Sequence, residues 1–207
     1  MIALAFYARH HQEMNALLED GRDIKIIFPP TMPDKERSDI QKIAEMVGGL
    51  AKKECTELLL GCRDDLVRHI QASKLPCNIE LICNRSRWDH THLHLLDTQN
   101  ENKGRSMLGM TVESHESRLV IVCWVWTRGG RAVADALVEI IGSPPATSGR
   151  DWHPDWKDGG TIVLGHHPIL PDEAHEVDSQ KLCAAVTSTF RVLDKEKIRK
   201  IIELSKS

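Results

Sequence analysis

The chain has 207 residues, 41% of them apolar and 28% charged, with a formal net charge of −3 and a pI near 6.4. That balance suits a folded domain and excludes a disordered polyelectrolyte or a broadly basic nucleic-acid coat, so any nucleic-acid contact must come from a local patch. A chain this long hides roughly 70% of the surface its unfolded form would expose and needs no covalent staple.

Six cysteines stand at 55, 62, 77, 83, 123 and 183, with no Cys-x-x-Cys pair. They read as reduced, mostly buried thiols, which points to a cytoplasmic protein. The apolar start, residues 1–7, is too short for a membrane span, so no membrane association is expected.

In chain order, Ile2, Phe6, Met14, Leu17 and Leu18 predict a first helix over 2–19, with Gly21 as its stop. A short β-like run, 23–28, closes at Pro29-Pro30. Thr31 as N-cap, acidic Asp34 and Glu36, and Ile40, Ile43, Met46, Val47 and Leu50 predict a helix over 34–59, weakened at Gly48-Gly49. A shorter helix follows at 63–73. Strands are then expected at 78–83, 90–96, 106–112, 119–126 and 161–164, joined early on by polar stretches of hairpin length at 98–104 and 113–117. Because 119–126 is apolar on both faces, it should be central. A helix over 131–141 ends at Gly142, a long loop over 143–160 carries Trp152, His153 and Trp156, and a last helix spans about 178–204.

The expected fold is therefore α/β of the α+β kind, one domain over 1–207. A helical first third, 1–75, precedes a sheet-rich remainder, 76–207, whose mainly antiparallel sheet of about 4–6 strands is covered by helices.

Three clusters can carry chemistry. In WDHTHLHLLD, 88–97, strand alternation puts His90, His92 and His94 on one face and Thr91, Leu93 and Leu95 on the other, with neighbouring imidazoles about 7 Å apart. Such a row can supply acid–base or nucleophilic groups, with Asp97 orienting a ring, or ligands for a divalent metal such as zinc. His166 of the pair His166-His167 is the natural further ligand, giving a metal set of His92, His94 and His166. The turn Thr127-Arg-Gly-Gly-Arg131 joins a strand to a helix, so Arg128, Gly129, Gly130 and Arg131 can hold a phosphate through guanidinium groups and first-turn N–H groups. Trp152 and Trp156 could stack on a base or plug their loop onto the sheet. His10, His11 and His69 are expected on the surface.

The spacing His90-x-His92-x4-Asp97-x6-Gly104 is similar to the phospholipase D motif, over residues 90–105 alone. It departs where His92 replaces the motif's lysine and Arg105 its serine, which removes the phosphate-binding cation. The likeness implies a histidine nucleophile at His90 and a homodimer that pairs two such halves.

Together these features point to an enzyme acting on a phosphate-bearing substrate. A phosphodiesterase or nuclease-type hydrolase of a nucleotide or nucleic acid is the sharper form. The rival is a non-catalytic binding or regulatory protein, or a subunit of a larger assembly.

Overall fold

The computed structural model describes residues 1–18, 31–72, 79–83, 90–97, 106–115, 118–128, 131–142 and 159–204. Its elements are α1 (Ile2–Arg9), α2 (His11–Leu18), α3 (Asp34–Ala72), β1 (Ile79–Cys83), β2 (His90–Asp97), β3 (Ser106–His115), β4 (Arg118–Arg128), α4 (Arg131–Ile141), β5 (Gly159–Pro168), α5 (Ser179–Phe190) and α6 (Lys195–Leu204). The run 23–28 and the tryptophans and histidine of 151–158 lie outside the described residues.

The strands form one sheet in the order β1-β2-β3-β4-β5, every neighbour antiparallel. This is the expected meander, and β4 pairs on both sides. One face is built from Leu93, Leu95, Leu108, Met110, Ile121, Cys123, Val125 and Ile162. They merge with Leu58, Leu59, Leu66, Leu137, Val186, Phe190 and Ile201 of the helices into a single core. Among the described residues, all the helices contribute to that core, which gives an α+β arrangement with the helices gathered on one side of the sheet. The other face carries His90, His92, His94, Thr111, Trp124 and His166, and the small separate cluster Val120, Val122 and Val163. No described helix is long and apolar enough to cross a membrane.

Helix boundaries are where the structure departs from expectation. The first helix breaks at His10, whose φ of −118° and ψ of 29° leave the helical region. The two helices expected between 34 and 73 are one helix of 39 residues, running through Gly48-Gly49 and Gly61. Two of these glycines admit neighbours: a Cβ at 48 would lie 3.0 Å from Leu18 Cδ1, and one at 61 would lie 3.6 Å from Cys183 Sγ. Close packing outweighs their poor helix propensity. The expected C-terminal helix is two, because Asp194 caps a fresh start by accepting from the Lys197 N–H at 2.8 Å, as Asp178 does from Lys181 N–H at 2.9 Å. Strands β3 and β5 run longer than expected, so Gly159 and Gly160 belong to β5 rather than to a loop. Gly142 ends α4 as foreseen, at φ +87° with its N–H on the Val138 carbonyl at 2.9 Å.

Gly109 lies opposite both His92 and Trp124 in register. A Cβ there would overlap the Trp124 indole, which is 7% exposed and tied by its Nε1–H to Thr111 Oγ1 at 2.8 Å. Gly109→Ala should therefore destabilise the fold by about 1–3 kcal/mol through overpacking. Urea unfolding followed by tryptophan fluorescence measures this, and an unchanged midpoint would show that the ring is not seated there.

Candidate functional site

Strand β2 alternates as its sequence demands. Thr91, Leu93 and Leu95 are fully buried toward the helices, while His90, His92 and His94 are half-buried on the opposite face. The imidazoles touch in series: His90 and His92 stack at a centroid distance of 5.7 Å, and His92 meets His94 edge-on at 5.0 Å. On the β3 side Trp124 reaches within 6.4 Å of His92. The strand between them presents Gly109 at that position, so an indole on β4 and an imidazole on β2 meet across a strand that interposes no side chain. The indole is the part of this site that sequence reasoning missed. Its signal was an isolated glycine inside an apolar strand, which marks close approach.

The proposed phosphate cradle lies at the far end of β4. Arg128 ends that strand opposite Gly159, and Arg131 opens α4, while Gly129 and Gly130 lie outside the described residues. His94 shares its register row with Met107 and Trp126, two residues before Arg128. His94 is thus the histidine nearest Arg128 along the sheet, and His90 is the furthest. Asp97 ends β2 in the alternation of Leu93 and Leu95, not that of the histidines.

The metal set His92, His94 and His166 is not assembled. His166 pairs with Val122, Val122 with Thr111 and Thr111 with His90, so three strand spacings, about 14 Å, separate the backbones of His166 and His90. The His166 ring instead stacks on His115 across β4, at 4.7 Å and 14°. Among the described residues no group of three or more His, Cys, Asp or Glu is arranged to hold a metal ion.

His167 points the other way, as alternation predicts, and its Nε2 hydrogen-bonds with Thr189 Oγ1 of α5 at 2.7 Å. Burial, reinforced by the neighbouring His166, holds its pKa below the ordinary 6.5. His11 is buried rather than superficial, and its Nε2 meets Ser114 Oγ at 3.1 Å, joining α2 to β3. Cysteines 55, 62, 123 and 183 are all buried. The hydrogen bond with the Cys183 sulfur, and burial after it, push the Cys62 thiol well above its usual range, so that thiol stays protonated and inert.

Compared with known proteins, the chain matches no family model, no curated protein and no solved structure.

A histidine whose pKa is lower folded than unfolded favours the fold while neutral. That contribution is complete above the unfolded value near 6.5 and is lost as pH falls through the lower folded value. Stability should therefore decline between pH 7.5 and pH 5 (about one unit or more either side of that value) more steeply in the native chain than in His167→Gln. Urea midpoints across that range test it, and parallel curves would remove His167 as a contributor.

Proposed function

We propose that the protein is a phosphodiester hydrolase acting on a nucleotide or nucleic acid, with the β2 histidine row as its acid–base centre. The observation that carries this is the unbroken ring contact from His90 through His92 to His94 on a half-buried face. Two imidazoles in contact can divide the work, one accepting a proton while its neighbour donates one, as in-line displacement at phosphorus needs. Burial by Trp124 on one side fixes the His92 ring, and a ring held in one orientation loses no entropy on reaching the reacting hydroxyl.

Arg128 and Arg131, with the α4 N-terminus, are the groups proposed to hold the phosphate. The place of Arg128 at the His94 end of the sheet favours His92 and His94 as the working pair and leaves His90 as the outer member of the row. Helix α4 packs on the opposite face, so that Arg131 and the helix N-terminus would act from around the end of β4. Single-stranded substrate suits this face better than duplex, because a sheet face meets a splayed chain more readily than a closed helix. A protein with the same surface and no turnover, the binding or regulatory reading, would hold phosphate without cleaving it.

Turnover of a chromogenic phosphodiester and of single-stranded RNA tests both readings. His92→Ala should lower kcat by about 10²–10⁴, whereas Arg131→Ala should chiefly weaken binding, by about tenfold or more. Nucleotide binding without turnover would replace the enzyme by the binding protein. Neither binding nor turnover would end the phosphate reading.

A further inference from the structure

Helix α3 is apolar on two opposite faces. Ala44, Ala51, Cys55, Leu58, Leu59 and Cys62 face the core. With about 3.6 residues per turn, Ile43, Met46 and Leu50 fall on the other side, and they are 56%, 61% and 51% exposed. Such a stripe, on a helix whose other side already meets the core, is the kind of exposed apolar patch that marks an interface. Leu18 lies against Gly48, and among the described residues nothing lies within 4 Å of where a Cβ of Gly49 would stand.

We infer that this stripe binds a second copy of the chain, the two α3 helices packing antiparallel about a two-fold axis through Met46. The argument is complementarity. In a two-fold antiparallel pair, residues about equally distant from the axis on either side meet. Ile43 and Leu50 lie on the same flank of Met46, so each Ile43 meets the partner's Leu50. Seven positions out, Asp39 meets the partner's Lys53, and at eleven Lys35 meets the partner's Glu57. All these positions are exposed, and steps of three, four, seven and eleven stay on one face of a helix. Each charge therefore faces its opposite, each Ile43 faces an apolar side chain, and Met46 packs on itself. Asp39 is now within 3.6 Å of Lys42 on its own helix, an exposed pair that exchanges readily.

A contact confined to one helix face is small, so the dimer is expected to be weak and concentration-dependent. Sedimentation of the full chain over a concentration series should show monomer passing to dimer. Leu50→Lys should weaken association about tenfold or more while leaving the melting temperature little changed, since Leu50 is 51% exposed in the monomer. Asp39→Lys should weaken the dimer, and Asp39→Lys with Lys53→Asp should restore it, which a folding defect could not mimic. A chain that stays monomeric at every concentration would overturn the inference. So would a dimer indifferent to both Leu50→Lys and Met46→Lys, or a double charge swap that fails to restore association.

Discussion

Strand β4 has no wet side. From Leu119 to Val125 every residue is buried, the odd positions against the helices and the even ones on the opposite face. A strand of this kind is stable only in the interior of a sheet, where both backbone edges pair and both faces are covered. Hydrogen bonding to β3 and β5 along its length follows, and so does the helical layer. The sheet becomes wetter with distance from β4. Two strands away, on β2, the histidine row is half-buried rather than dry. An imidazole is useful for proton transfer in such a place, sheltered enough to be oriented and still able to exchange protons.

The helices are fastened to this sheet by a few polar bonds at strand ends. Ser106 and Thr127, opposite one another on β3 and β4, are buried and share a hydrogen bond at 2.9 Å, and Ser106 also donates to the Ile201 carbonyl of α6 at 3.3 Å. Lys197 donates to the Ile141 carbonyl at 2.9 Å, tying α6 to the last turn of α4. His167 does the same for β5 and α5 through Thr189, and His11 for α2 and β3 through Ser114. Buried polar groups left unpaired would each cost about 1–3 kcal/mol, so these bonds select one seating of the helices among several that burial alone would accept. The Ser106–Thr127 pair lies beside the row of His94, Met107 and Trp126. It therefore steadies the end of β4 that leads into Arg128.

Much of this was legible before the fold was known. Alternation in 90–97 placed three histidines on one face and two leucines on the other, because successive strand residues point to opposite sides whatever they pack against. The doubly apolar run 119–126 announced a central strand, short polar stretches announced antiparallel neighbours, and Gly142 announced a helix end. Each is a local rule, written in period or turn chemistry over a few residues.

What escaped was decided by contacts between distant segments. Continuity of α3 through Gly48, Gly49 and Gly61 depends in part on Leu18 and Cys183 filling two of those positions. The seating of Trp124 on Gly109, the burial of His11 and the separation of His166 from His92 depend on strand register and on which helix arrives above. Periodicity tells which way a side chain points and says nothing of what it meets. The histidine row was thus determined by the sequence alone, whereas its indole neighbour, its distance from His166 and the bare outer face of α3 were settled only when the chain packed in three dimensions.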